Sequence, residues 1–207
     1  MNEYENAISI KGVTKRYDGF TLDNISFDVP KGCIMGFIGQ NGAGKTTTIR
    51  SLLHITDIDS GEISLLGMDH VKDEAELKKR IAVGFDELPF HDMFNVKDMA
   101  KIFRGLYPDW NDETYMKYID RFQLPKKKKI GQFSKGMKMK LQIACALSHN
   151  AELLVMDEAT TGLDPVVRDE ILHIFMEYLQ NGERSVLMSS HITSDLEKIA
   201  DSVTFID

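Results

Sequence analysis

Apolar residues recur along this chain with two different spacings, and the spacing changes as the chain proceeds. Short apolar runs separated by glycine and proline turns fill most of the first 85 positions, where AISI, LDNISFDVP, CIMGFI, EISLLG and IAVGF predict β-strands. Helices are predicted between these strands at 45–53 and 73–80. From 89 to 150 helical spacing dominates, as in VKDMAKIFRGLY and DETYMKYIDRFQL. Strands and helices then alternate again, beginning with ELLVMD and PVVRDEILHIFMEYLQ.

This order of elements predicts a single α/β domain whose strand–helix core is interrupted by a helical insert. We assign residues 1–88 and 151–207 to the core, including its strand-rich N-terminal part, and residues 89–150 to the insert. Pro108 and Pro125 break the helical stretch, so the insert is expected to hold more than one helix. With 207 residues, of which 43% are hydrophobic, the chain is long and apolar enough to bury a core.

Charge and composition argue against several classes of protein. The net charge of −7 gives no support to nucleic-acid binding, which favours a basic surface. No apolar run approaches the roughly 20 residues that span a bilayer, and the start, MNEYENAISI, lacks the features of a signal peptide. Cys33 and Cys145 match no metal-binding or redox spacing. We therefore expect a cytoplasmic protein that acts at a membrane only through a partner's membrane segments.

A glycine-rich segment between an apolar strand and a helix predicts a phosphate-binding loop. It comprises Gly39, Gln40, Asn41, Gly42, Ala43, Gly44, Lys45, Thr46 and Thr47. Glycines let successive backbone amides point at one anion, and the following helix N-terminus adds partial positive charge. The motif places Lys45 at the β- and γ-phosphates of a nucleotide and the Thr46 hydroxyl on Mg²⁺.

Two carboxylates follow the buried strand LLVMD. Asp157 and Glu158 stand at its carboxyl end, which is where ligands bind in open α/β sheets. Asp157 can hold Mg²⁺ through water, and Glu158 can polarise the water that attacks a γ-phosphate. By itself such a pair is also explained by structural capping. Its position about 110 residues after a phosphate loop makes the catalytic interpretation stronger.

A phosphate loop alone leaves kinases, GTPases and recombinase-like motors open, and the segment FSKGM at 133–137 narrows the choice. Taken alone it could be an ordinary cap before an amphipathic helix. It resembles the LSGGQ signature of ABC proteins, with Ser134 and Gly136 in the matching places, and LLVMDEATTGLDP follows at the family's spacing. Over essentially its whole length the chain resembles ABC transporter ATP-binding subunits, most of all those of drug or antibiotic exporters of Gram-positive bacteria.

The resemblance implies a P-loop NTPase fold of ABC type, with a mixed or parallel sheet core, an N-terminal antiparallel β subdomain and the helical insert. It implies ATP and Mg²⁺ as ligands. Tyr17 matches the aromatic residue that stacks on adenine, Asp164 the D-loop at the dimer interface, and His191 the switch histidine near the γ-phosphate. Ser134 and Gly136 would cap the γ-phosphate held by a second subunit.

The sequence departs from the family pattern at several positions. Lys135 and Met137 replace the usual glycine and glutamine of the signature, and Ala159 follows the catalytic glutamate where many relatives have proline. Asp86 stands at the place of the Q-loop glutamine. Its carboxylate could reach Mg²⁺ or the attacking water, and it could equally slow turnover by repelling the phosphates.

The resemblance also predicts the partners. We expect an integral membrane permease, a second ATPase subunit that is either identical or different, no nucleic acid, and a peripheral position on the cytoplasmic face of the membrane. Phe90, Met93 and Phe94 are candidates for docking the permease. Two alternatives stay open here: a soluble ABC ATPase acting on ribosomes or nucleic acid, and a binding module without catalysis.

Overall fold

The computed structural model describes residues 5–85, 90–180 and 182–207, which form two β-sheets flanked by helices. The candidate residue Asp86 lies outside the described residues. The strands are β1 Asn6–Tyr17, β2 Phe20–Pro30, β3 Ile34–Ile38, β4 Ser60–Leu65, β5 Met68–Asp69, β6 Ile81–Gly84, β7 Leu153–Asp157, β8 Ser185–Ser190 and β9 Ser202–Phe205. The α-helices are α1 Lys45–Leu52, α2 Glu74–Arg80, α3 Val96–Leu106, α4 Asp112–Arg121, α5 Lys135–Ala146, α6 Pro165–Leu179 and α7 Thr193–Ile199.

The first sheet is antiparallel and has the strand order β2-β1-β4-β5. Strand β1 is longer than the predicted run AISI, because the chain passes through an irregularity at Gly12 and continues as strand to Tyr17. At Gly12 the backbone has φ 61°, and its N–H donates to Ser26 Oγ instead of a strand partner. The glycine that ends the apolar run in the sequence is therefore a bulge within one strand.

The second sheet is parallel, with the order β6-β7-β8-β3-β9. Its strands are continuous apolar runs, as expected of a sheet that is covered on both faces. Along β7, alternate side chains join two different cores: Leu153 and Val155 face the antiparallel sheet with α1, whereas Leu154 and Met156 face the helices α3 to α7. Because the five strands are parallel, their carboxyl ends lie at one edge, where polar segments follow β3, β7 and β8.

Helices occupy the middle of the chain as the sequence predicts. Asn95 and Asp98 form a capping box at the start of α3, and the Tyr115 hydroxyl of α4 donates to the Val96 carbonyl, which joins the two helices. The antiparallel N-terminal sheet and the parallel sheet with its helices agree with the predicted α/β architecture. The division into residues 1–88, 89–150 and 151–207 stays a prediction. Across the part of the chain that the structure describes, no helix has the length and apolar character to cross a membrane.

Candidate active site

The phosphate loop lies between β3 and α1, and two of its glycines are required by close packing. A Cβ atom added to Gly39 would lie 2.6 Å from the Ile206 carbonyl oxygen, and one added to Gly44 would lie 3.0 Å from a Leu22 methyl group. Gly44 also has φ 107°, in the left-handed region that favours glycine, and it caps α1. The loop can therefore lie close to the core and leave its amides facing outward.

Lys45 is buried, and its ammonium group is held by backbone carbonyls of the loop itself. Nζ donates to the Gly39 carbonyl at 2.7 Å and to the Gln40 carbonyl at 3.1 Å. It also lies 3.5 Å from Glu158 Oε1. A buried cation needs such partners, and a phosphate group entering the loop would provide stronger, charge-assisted hydrogen bonds.

Oxygen atoms from three separate segments form a chain across the end of the parallel sheet. The Thr46 hydroxyl donates to Asp157 Oδ2 at 2.9 Å, and the Ser189 hydroxyl donates to Asp157 Oδ1 at 2.6 Å. A hydroxyl and a carboxylate at this distance fit Mg²⁺, which takes a few protein oxygens and completes its shell with water and phosphate oxygens. Among the described residues, no group of three or more His, Cys, Asp or Glu side chains is placed to hold a metal ion.

Glu158 follows directly after β7 in a left-handed backbone conformation, with φ 54°. Its Oε2 accepts from the Thr161 hydroxyl at 2.5 Å and lies 2.6 Å from His191 Nδ1. Burial raises the pKa of this carboxyl, but these two hydrogen bonds outweigh burial and the pKa lies below its ordinary value. The charge of Lys45 acts in the same direction. Glu158 is therefore ionised at neutral pH and can accept a proton from water.

Eight of the predicted site residues line one pocket with a volume of about 360 Å³. Its lining residues are Phe20, Asn41, Gly42, Gly44, Lys45, Thr46, Thr47, Glu158, Thr161 and His191. The structure thus brings the phosphate loop, the glutamate after β7 and the histidine after β8 together. Asp157 lies beneath the pocket and reaches it through its hydrogen bond to Thr46.

Phe20 is an aromatic residue that lines the pocket, whereas the predicted Tyr17 does not line it. Tyr17 ends β1 with 46% of its surface exposed and does not line the pocket, although its ring stacks on Phe20 with centroids 6.5 Å apart. A Cβ atom on Gly44 would lie 3.1 Å from Phe20 Cζ. Phe20 was missed in the sequence because it follows the turn Asp18-Gly19 outside any motif.

The signature and D-loop residues lie elsewhere on the surface. Ser134 caps α5 by accepting from the Met137 N–H at 3.3 Å, and Asp164 caps α6 by accepting from the Val167 N–H at 3.1 Å. The described residues that line the pocket do not include Ser134, Gly136 or Asp164. Within a single chain, these three residues therefore do not contribute to the pocket.

Gln142 of α5 is a buried polar residue that the sequence did not single out. Its side chain bonds both backbone groups of Phe85: Oε1 accepts from the Phe85 N–H at 3.1 Å, and Nε2 donates to the Phe85 carbonyl at 2.8 Å. Phe85 directly precedes Asp86. Gln142 therefore connects α5, the helix that begins in the signature segment, to Phe85, the residue before the Q-loop position.

We expect Gln142→Leu to lower the free energy of unfolding by about 2 kcal/mol, because it leaves a buried N–H and C=O of Phe85 without partners. Urea denaturation of the purified variant would measure this loss. Gln132→Leu, at an exposed position, is the control and should change stability by less than about 0.5 kcal/mol. Equal stability of the two variants would contradict the structural role of Gln142.

Comparison with known proteins supports the resemblance to ABC transporter ATP-binding subunits that the motifs indicate. A family model described as "ABC transporter" matches residues 22–161. The ABC transporter ATP-binding protein YtrB of Bacillus subtilis (strain 168) is 31% identical over 202 residues, covering 97% of this chain and 68% of YtrB. The bacitracin transport ATP-binding protein BcrA of Bacillus licheniformis is 35% identical over 204 residues, covering 96% of this chain and 66% of BcrA. This chain thus spans about two thirds of those relatives.

Solved structures have the same fold as this chain and confirm the predicted α/β fold of ABC type. One described as "Structure of ATP binding subunit of ABC transporter" has a TM-score of 0.85 and 24% identity, covering 97% of this chain and 85% of the other. A nucleotide-free ATP-binding cassette from an ABC transporter has a TM-score of 0.82 and 21% identity, covering 97% and 87%. With most of its length matched by the family model and by relatives above 30% identity, the chain belongs to the ABC transporter family and is an ATP-hydrolysing, ATP-binding subunit.

Proposed function

We propose that two copies of this subunit, or this subunit and a related one, hydrolyse ATP between them and so energise export of a substrate by a membrane permease. One observation supports the proposal most strongly. Lys45, the Thr46–Asp157 pair and the Glu158–His191 pair converge at one open pocket, although they come from three separate segments of the chain.

Each of these residues then has a role in the reaction. Lys45 and the loop amides bind the β- and γ-phosphates, and Lys45 exchanges its bonds to Gly39 and Gln40 for phosphate oxygens. Thr46 and Asp157 would hold Mg²⁺, which would neutralise charge on the phosphates when bound. Glu158 orients the attacking water and accepts its proton, and His191 holds the Glu158 carboxylate in place through the 2.6 Å contact.

A second subunit completes the site. Ser134, Gly136 and Asp164 are outside the pocket of their own chain, yet the signature and D-loop motifs of this family act on nucleotide. Ser134 and Asp164 are exposed at the N-termini of α5 and α6, whose partial positive charge favours phosphate. We infer a head-to-tail dimer in which each copy places these residues on the partner's ATP.

The relatives indicate the kind of transport. The names of two relatives, the bacitracin transport ATP-binding protein BcrA and the lantibiotic transport ATP-binding protein SrtF of Streptococcus pyogenes (31% identical over 202 residues), refer to bacitracin and to lantibiotics. An antibiotic-like peptide exported from the cell is therefore the substrate class that we propose. The relatives named here are transporter or transport ATP-binding proteins by name, which favours transport over the alternative of a soluble ABC ATPase acting on ribosomes or nucleic acid.

An apolar groove between the parallel sheet and the end of α3 is our candidate docking site for the permease. It has a volume of about 460 Å³ and is formed by the end of α1, by α2, by β6 and by Leu106 and Tyr107. Ile55 and Leu106 at its rim are 58% and 64% exposed, which is high for apolar side chains. A cytoplasmic segment of the permease with an apolar face would cover them.

The residues proposed from the sequence for docking occupy a different place. Phe90 and Phe94 pack against the core beside the helices, and Phe90 meets the Phe103 ring edge-to-face with centroids 5.6 Å apart. Met93 is 63% exposed. The groove and the surface at Met93 are thus two candidate contact sites for the permease, and one matched variant at each site can distinguish them.

The test is a tagged pull-down from detergent-solubilised native membranes, with bound proteins identified by mass spectrometry. We expect a multi-span membrane protein in near-equal amount. Leu106→Glu should reduce its recovery by about tenfold or more, because a buried unpaired charge at an interface costs several kcal/mol, while ATP binding stays unchanged. Met93→Glu is the matched control and should retain the partner. Loss with Met93→Glu alone would place the contact at Met93, and recovery of soluble partners only would contradict the transport function.

A further inference from the structure

Lys135, which stands where the family signature has glycine, lies against the D-loop of its own subunit. The D-loop here is the segment Gly162–Leu163–Asp164. A Cβ atom added to Gly162 would lie 3.3 Å from Lys135 Nζ, 3.7 Å from Cδ and 3.8 Å from Cε. The lysine side chain thus extends over Gly162 with its ammonium group closest.

The next residue of the signature makes a second contact with the same region. A Cβ atom added to Gly136 would lie 3.4 Å from Val167 Cγ1 and 3.9 Å from Leu163 Cδ2. Leu163 is buried, so the D-loop is attached to the core at this point. Two consecutive signature residues therefore pack on the D-loop and on the helix that follows it.

We propose that Lys135 is a positioning residue that fixes the signature loop relative to the D-loop, so that both meet the partner's nucleotide in one arrangement. This rests on the proposed dimer. Gly162 has φ 70° and no side chain, and a glycine segment of this kind can adopt several backbone conformations. The lysine side chain lying over it restricts that freedom. A signature glycine at position 135 would lack this contact, so the departure from the family pattern has a structural effect.

The test compares Lys135→Ala, which removes the side chain over Gly162, with Lys135→Met, which keeps an aliphatic side chain there. For Lys135→Ala we expect kcat for ATP hydrolysis by the full chain to fall about fivefold, a modest coupling effect. KM should change by less than about twofold, because ATP binds first to the phosphate loop of the other subunit. Lys135→Met should retain most of the parent kcat. Lys128→Ala, in the exposed lysine run, is the matched control and should behave as the parent.

Three outcomes would overturn the positioning role: an unchanged kcat in Lys135→Ala, an equal loss of kcat in Lys135→Met, or a loss accompanied by a lower melting temperature. The proposed function is tested separately by ATP-driven dimerisation of Glu158→Gln. If that protein stays monomeric with ATP, the dimer itself is wrong. If it dimerises but Lys135→Ala has normal kinetics, only the positioning role is wrong.

Discussion

Glu158→Gln should abolish ATP turnover while leaving ATP binding intact and stabilising an ATP-bound dimer. Glutamine keeps the size of the side chain and can still contact Thr161 and His191, but it cannot accept a proton from water. General-base catalysis contributes about 10²- to 10⁴-fold, so we expect kcat to fall about 10³-fold. Steady-state phosphate release measures the loss. Size-exclusion chromatography with light scattering, with and without ATP and Mg²⁺, measures the dimer.

The control for this substitution is Glu183→Gln, which makes the same chemical change at an exposed glutamate paired with Lys31 at 2.9 Å. Surface ion pairs contribute little, so turnover should stay at the parent level. Turnover by Glu158→Gln within about tenfold of the parent would contradict the role of Glu158 as the base, because loss of a base costs at least about 10²-fold. If Glu158→Gln lost all turnover but formed no ATP-dependent dimer, the role of Glu158 as the base would stand and the two-subunit site would be contradicted.

The sequence predicted the parts of the site that depend on backbone geometry. A phosphate loop needs a strand before it, glycines within it and a helix after it, and all three are local features that CIMGFIGQNGAGKTT displays. The carboxylates after β7 were placed correctly for the same reason, since a continuous apolar strand has a recognisable end. Because β3, β7 and β8 are parallel neighbours, local signals at their ends become one site.

Contacts between segments that are distant in the sequence could not be predicted from local sequence patterns. Gln142 bonds Phe85 across 57 positions, and Ser189 bonds Asp157 across 32. Neither residue has an unusual local pattern: one lies in an amphipathic helix and the other in an apolar strand. Only the pairing of β7 with β8 places Asp157 opposite Ser189. The groove lined by Leu106 could not be predicted either, because it depends on how the end of α3 packs beside β6 and α2.

Lys45→Ala should weaken ATP binding about 10- to 100-fold, because a hydrogen bond to a charged group contributes about 1.5–3 kcal/mol. Titration of the purified protein with a fluorescent ATP analogue would measure the change in Kd. Turnover should fall further than binding, since negative charge builds up on the leaving β-phosphate oxygen as its bond to the γ-phosphorus breaks. Raising the ATP concentration would then restore occupancy but not the parent kcat.

The same substitution has a second effect that separates a nucleotide-binding lysine from a merely buried one. In the free protein Lys45 satisfies the carbonyls of Gly39 and Gln40 and lies 3.5 Å from Glu158. Removing it leaves those carbonyls to water and removes one charge that lowers the pKa of Glu158, so that pKa should rise. Lys140→Ala is the matched control, because Lys140 is also largely buried and paired, with Glu170 at 2.7 Å. If both variants lost stability equally and neither lost affinity for ATP, Lys45 would be a structural residue and not a ligand of the phosphates.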